Sequence, residues 1–233
     1  MTLSFSFSRR TLLHVACSGY ALLTGIVKGD SASAQTPALA ATGRMLVLLA
    51  LGDSLTAGYG LPEPQSFPAQ LEAALRQKGY NIRVINAGVS GDTSADGLAR
   101  LDWVLEEPAD AVIVELGAND ALRGLPPALA ENNLSRILTT LQARHLPVLL
   151  AGMKAPRNLG EEYVRAFDAI YPRLQHRFGT RLYPFFLDGI IGGPAGLLQP
   201  DGLHPTAAGV ARIVSSILPE TEALLRSLPP VRR

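Results

Sequence analysis

Leu46-Val47-Leu48-Leu49-Ala50-Leu51-Gly52-Asp53-Ser54-Leu55 decides how this chain is built. Six of the seven residues from Leu46 to Gly52 are apolar, the pattern of a strand buried on both faces, and the run stops at a glycine followed by small polar residues. Such a strand delivers Ser54 to the carboxyl edge of a sheet, where the chain turns into a helix. Backbone N–H groups in a first helical turn lack partners and point outward, so an anion forming beside the serine would meet fixed dipoles. Asp53 and Ser54 also read as a plain helix cap, and the choice between the two rests on what lies downstream.

Outward from this strand, apolar runs alternate with segments of helical period. Phe67, Leu71, Ala74 and Leu75 fall on one face of a helix that ends near Gly79, and 82–87 reads as the second strand. A helix over 93–106 carries Leu98, Leu101, Val104 and Leu105, 111–116 is the third strand, and a helix over 128–144 carries Leu134, Ile137, Leu138 and Leu141. Strand four at 148–151, a helix over 161–178, strand five at 182–186, a Gly/Pro-rich loop over 188–200 and a last helix over 206–218 complete the series. Strand then helix, five times over, predicts an α/β three-layer sandwich: a five-stranded parallel sheet with helices on both faces, flavodoxin-like. Ligands in such sheets bind beyond the carboxyl ends of the strands, so the residues just after each strand are the ones to inspect.

The chain has 233 residues, 47% hydrophobic and 18% charged, an ordinary globular composition with one domain expected over 45–226 and a short tail over 227–233. A formal net charge of +1 gives no electrostatic case for nucleic acid. Residues 1–34 read as a cleavable leader: paired Arg9 and Arg10 precede an apolar run over 12–27, and Ala32-Ser33-Ala34 fits a small-residue cleavage pattern. The paired arginines suggest the twin-arginine route, with the general secretory route or an uncleaved anchor as alternatives; the run is interrupted by Cys17, Ser18, Gly19 and Gly25 and is short for a span. Cleavage leaves no stable membrane insertion, a linker over 35–44 and a chain with 18 basic and 19 acidic residues. The only cysteine, Cys17, leaves with the leader, so the exported chain holds no disulfide and no thiol nucleophile, which suits an oxidising compartment.

Conspicuous polar clusters follow the strands: Ser54 after the first, Asn86 to Asp92 after the second, Gly117-Ala118-Asn119-Asp120 after the third, and Asp201-Gly202-Leu203-His204-Pro205 beyond the fifth. A serine hydroxyl attacks only when a base takes its proton. Of the four histidines, His14 lies in the leader, His145 at the amino end of strand four and His176 in the last turn of a helix, which leaves His204 on the carboxyl edge. Asp201, three residues earlier, is placed to orient the imidazole, or else to cap the last helix, a task Thr206 can do instead. Gly91 can offer a backbone N–H and Asn119 a side-chain amide to an oxyanion, although each also reads as a turn residue. Asp53, Asp92 and Asp120 are assigned to bracing and capping. No histidine or carboxylate cluster has metal-ligand spacing, and Gly58-Tyr59-Gly60 is no phosphate cradle.

Gly52-Asp53-Ser54-Leu55, Ser90-Gly91-Asp92, Gly117-Ala118-Asn119-Asp120 and Asp201-Gly202-Leu203-His204 resemble, in order, the four blocks of the GDSL or SGNH hydrolase family, from about Met45 to Leu218. The longer strings Val89 to Ser94 and Val114 to Gly124 are similar to the bacterial periplasmic branch that acts as thioesterase, arylesterase and lysophospholipase. The resemblance implies an SGNH fold, no cofactor, and a small-molecule acyl ester as substrate. It also implies Ser54 as nucleophile, His204 as base, Asp201 as its orienter, and the Ser54 N–H, the Gly91 N–H and the Asn119 amide as oxyanion donors. In that branch the loops corresponding to 121–125, with Leu122, and 153–160, with Met153 and Pro156, shape the acyl site. Ile190, Ile191 and Leu197 beside the histidine loop are further candidates for apolar lining. A carbohydrate O-acetylesterase and a non-catalytic binding protein on the same fold stay open as alternatives. Trp103, the single tryptophan, has core-like helical spacing and offers no platform for a sugar.

Overall fold

The computed structural model describes residues 44–229; the leader expected at 1–34 and most of the linker lie outside the described residues. Five strands form one parallel sheet: β1 (Leu46–Gly52), β2 (Ile82–Gly88), β3 (Ala111–Glu115), β4 (Val148–Ala151) and β5 (Arg181–Tyr183), in the order β2-β1-β3-β4-β5. Every residue of β3 and β4 is buried, as is all of β1 except Val47, because helices cover both faces. The register sets Gly52 opposite Gly88 on one side and Glu115 on the other, so the ends of three strands lie level beside Ser54.

On one face pack α2 (Phe67–Gln77), reached through the single turn α1 (Ser54–Ala57), and α9 (Ala207–Arg226). The other face carries α3 (Ser94–Ala99), α4 (Leu101–Val104), α6 (Pro127–Ala143), α7 (Glu161–Asp168) and α8 (Ile170–Phe178), with the short α5 (Ala118–Leu122) at the end of β3. Phe67, Leu71 and Leu75 of α2 are fully buried, as the spacing predicts, and so are Leu134, Ile137 and Leu141 of α6. The order 2-1-3-4-5 reverses direction between β1 and β3, the switch point at which open α/β sheets hold ligands. No helix among the described residues is long and apolar enough to cross a membrane.

Four elements differ from the expectation, three of them at prolines. The helix expected over 161–178 breaks at Ala169 because Pro172 has no N–H and its ring excludes the carbonyl of Asp168 from the helical ladder. Strand five stops at Tyr183 because Pro184 cannot continue it. The last helix, expected to end at Leu218, runs through Pro219 to Arg226, held by the buried Thr221, Leu224 and Leu225. The segment 93–106 breaks at Arg100, whose guanidinium is drawn to Asp92 (2.6 Å) and the Gly52 carbonyl (2.9 Å). Trp103 corrects a further expectation: it is 70% exposed on α4, beside the Asp102–Arg144 ion pair near the amino edge of the sheet.

Gly88 ends β2 against the turn that carries Ser54. A Cβ there would press on the Ala57 nitrogen and stand 2.8 Å from the Asp53 carbonyl oxygen, backbone atoms that cannot rotate away. Gly88→Ala is therefore expected to lower stability by about 1–3 kcal/mol, the usual cost of overpacking, and to reduce turnover by shifting Ser54. Urea unfolding alongside an ester assay checks both.

Candidate active site

Ser54 is the first residue of α1 and is only 9% exposed. Asp53 caps the turn, its Oδ1 accepting from the Leu55 N–H at 2.9 Å, and the Ser54 N–H has no acceptor within the helix. His204 approaches from the far end of the chain: its Nε2 lies 2.9 Å from Ser54 Oγ, across 150 residues of sequence, and its Nδ1 lies 2.7 Å from Asp201 Oδ2. Asp201 also folds its own loop, Oδ1 accepting from the N–H groups of Leu203 (2.9 Å) and His204 (3.0 Å). These bonds hold its carboxyl at about 2, well below the ordinary value, so it stays ionised beside the imidazole. Thr206 caps α9, its hydroxyl accepting from the Gly209 N–H, which leaves Asp201 to the histidine.

Gly91 and Asn119 reach the same edge. Gly91 takes φ +89°, a conformation that favours glycine, and its carbonyl accepts from Arg123 Nη2 at 2.7 Å. Among the described residues no acceptor takes its N–H. Asn119 Nδ2 donates to the Asp92 carbonyl at 2.9 Å and, at the longer 3.2 Å, to Asp53 Oδ2. Both amide hydrogens are thus engaged, and the weaker bond is the one that can turn to a new acceptor. Asp92 and Asp120 brace the loops: Asp92 pairs with Arg100, and Asp120 accepts from the Ser94 N–H (2.7 Å) and hydroxyl (2.6 Å). His145 and His176 stand elsewhere, at the amino side of β4 and in the last turn of α8.

Beneath Ser54 lies a feature that the motifs do not announce. Glu115, the last residue of β3, is fully buried; its Oε2 accepts from the Thr56 hydroxyl at 2.7 Å, and its Oε1 has no partner. Gly52 makes room for it, since a Cβ there would collide with Thr56 and Glu115 Oε2. Burial and the nearby Asp53 raise the Glu115 carboxyl well above its usual range, and burial pushes Asp53 up to about 7.

A cavity of about 680 Å³ opens beside Ser54 and His204. Of the six lining residues expected, Leu122, Met153, Pro156 and Ile191 are on its wall. Ile190 is not: it is 1% exposed and packs in the core, while its neighbour Ile191 faces out. Leu197 is likewise absent from the lining. The sequence reading missed Leu55, Ala118, Phe185, Leu187 and Leu203, which complete an apolar wall; Lys154, within the expected loop 153–160, also lines the cavity, its ammonium 5.0 Å from the centre of the Phe185 ring. Phe185 and Leu187 follow β5 directly, the same signal that marks the polar residues after the other strands.

With that geometry established, comparison assigns the class. Residues 50–212 match the GDSL-like Lipase/Acylhydrolase family, and the chain belongs to that family: it is an esterase of the GDSL type. The chain is 41% identical over 217 residues to Esterase TesA of Pseudomonas aeruginosa, covering 93% of this chain and all of that one. It is 43% identical over 159 residues to Thioesterase 1/protease 1/lysophospholipase L1 of Escherichia coli K12, covering 68% of this chain and 74% of that one. Among solved structures it is similar to AlinE4, an SGNH-hydrolase family esterase, with a TM-score of 0.66, 51% identity and coverage of 81% of this chain and 99% of the other.

The buried carboxyls have a thermodynamic consequence. Asp53 titrates near 4 when unfolded and about 7 when folded, so between those values the folded state binds the extra proton. Stability is therefore expected to fall as pH rises from about 4 to about 7. Asp53→Asn should flatten that slope and leave the part owed to Glu115, as urea unfolding across the range will show.

Proposed function

We propose that this esterase cleaves aryl, short- to medium-chain and lysophospholipid esters, and acyl thioesters, through an acyl-enzyme formed on Ser54. The observation that carries the proposal is the apolar cavity opening at the Ser54–His204 hydrogen bond. Its volume lies in the range of pockets that enclose drug-sized ligands and far exceeds what an acetyl group fills. His204 Nε2 takes the Ser54 proton as Oγ bonds to the acyl carbon, and the carbonyl electrons move onto oxygen. The resulting oxyanion is met by the N–H groups of Ser54 and Gly91 and by the Asn119 N–H that leaves Asp53. Collapse of the tetrahedral intermediate expels the leaving group, which receives the proton from His204. Water then repeats the cycle in reverse roles and frees the acid and Ser54. Asp201, ionised throughout, keeps Nδ1–H pointed at itself and Nε2 free for the serine.

The relatives' names support the breadth of this reading, since they span esterase, arylesterase, thioesterase and lysophospholipase. Among the described residues the aromatic ring on the cavity wall is Phe185, which packs under Lys154, and Trp103 is near the opposite edge of the sheet, so neither offers a sugar an open platform. The proposal extends to place. The leader over 1–34 carries the enzyme out of the cytoplasm to a compartment in which acyl-CoA is scarce, so oxygen esters are its working substrates.

On p-nitrophenyl esters from acetyl to palmitoyl, with acetylated xylan alongside, kcat/KM should be highest for acyl chains longer than acetyl and negligible on the polysaccharide. Ser54→Ala should lose about 10⁴- to 10⁶-fold, and Asn119→Ala roughly 10²- to 10³-fold in kcat. Equal turnover by wild type and Ser54→Ala would end the reading. Amino-terminal sequencing of the exported protein is expected to begin at Gln35; a chain retained whole in the membrane would refute the leader.

A further inference from the structure

Acyl transfer depends on a distance between two loops that no strand or helix joins. One leaves α1 at Gly58; the other runs over 197–206 ahead of α9. Gln199 lies across the gap. Its side-chain nitrogen donates to the Tyr59 carbonyl at 2.8 Å and to the Pro205 carbonyl at 2.9 Å, while its own backbone N–H donates to the His204 carbonyl at 2.7 Å. Both side-chain partners are carbonyl oxygens, so only the NH₂ end of the amide fits there. Tyr59 in turn is tied to the nucleophile, its N–H donating to the Ser54 carbonyl at 3.0 Å.

These contacts form a closed ring: Ser54 carbonyl to Tyr59, Tyr59 carbonyl to Gln199, Gln199 to the His204 carbonyl, and His204 Nε2 back to Ser54 Oγ. The approach is close enough that Gly60, at φ +73°, has no room for a Cβ against Gln199 Oε1. The Tyr59 ring lies against the imidazole, with centroids 4.5 Å apart and planes inclined by 35°. The histidine loop keeps its own shape by other bonds, including Leu198 paired with Pro205 and the Thr206 N–H on the Leu197 carbonyl at 2.9 Å. The start of α9 is anchored separately, Gln70 Nε2 donating to the Ala207 carbonyl at 3.1 Å. Beside the His204–Ser54 bond and the Tyr59 ring that it serves to place, Gln199 supplies a side-chain hydrogen bond from the histidine loop to the backbone on the serine side of the site.

We propose that Gln199 is a positioning residue: it fastens the His204 loop to the loop leaving the Ser54 helix, and so fixes Nε2 against Oγ while the Tyr59 ring limits rotation of the imidazole. The inference rests on Ser54 and His204 acting as nucleophile and base. Misplacing reacting groups by about 1 Å costs on the order of 10²-fold in rate, which sets the scale of the effect.

The test compares wild type with Gln199→Met, which keeps length and loses both donations, and Gln199→Lys, whose ammonium restores a donor for both carbonyls. On p-nitrophenyl butyrate, Gln199→Met should lose about 10- to 100-fold in kcat with KM within about twofold, and Gln199→Lys should recover most of the loss. The second readout is the proton resonance of His204 Nδ1–H, which should broaden or shift in Gln199→Met as the imidazole gains freedom. An unchanged kcat and an unchanged resonance would overturn the proposal, as would a loss in kcat that tracks a collapse in Tm and is not recovered by lysine. Failure of the hydrolase reading looks different: Ser54→Ala would then match wild type, and the resonance would still report on the tie.

Discussion

The 2.9 Å hydrogen bond from Ser54 Oγ to His204 Nε2 is made by residues that could hardly be held more differently. Ser54 stands at the tip of a strand with neighbours on both sides, in a turn capped by Asp53 and closely bounded at Gly52 and Gly88. His204 comes from a loop beyond β5, outside the sheet, shaped by its own Asx turn and by cross-loop bonds. The fold provides rigidity on one side of the reaction, and the loop must be brought to it. The sheet order places the β1–β3 switch point under the serine, so Asn119 arrives from the strand end on one side of β1 and Gly91 from the strand end on the other.

The ground beneath the serine is less stable than a purely apolar one would be. Asp53 and Glu115 are buried carboxyls without a basic partner of their own, and one Glu115 oxygen makes no hydrogen bond. Buried groups of this kind normally cost folding free energy, and active sites are where proteins retain them. Here the return is local: Asp53 caps the turn and holds one Asn119 hydrogen, and Glu115 holds Thr56 two residues beyond Ser54.

Much of this was legible beforehand. Continuous apolar runs bounded by polar clusters announced β1, β3 and β4, and the rule that chemistry follows the strand ends picked out Ser54, Gly91, Asn119 and the Asp201–His204 loop. Errors gathered where residue type is ambiguous. Pro172 and Pro184 stop elements in the middle of convincing apolar periodicity, whereas Pro219 does not, because the residues after it are buried well enough to hold the helix together. Ile190 and Ile191 are identical in type and adjacent in sequence, yet one belongs to the core and the other to the cavity; only packing separates them. Trp103 has core-like spacing and lies in solvent. Phe185 and Leu187 obey the strand-end rule, but an apolar side chain after a strand looks like any other piece of the interior.

The position of His204 so late in the chain has a consequence for biosynthesis. A ribosome that has delivered all five strands has made Ser54, Asp53, Gly91 and Asn119, but neither His204 nor Asp201. A nascent chain, or one clipped ahead of Asp201, therefore lacks the Ser54–His204 hydrogen bond altogether, so this contact is among the last that the growing chain completes.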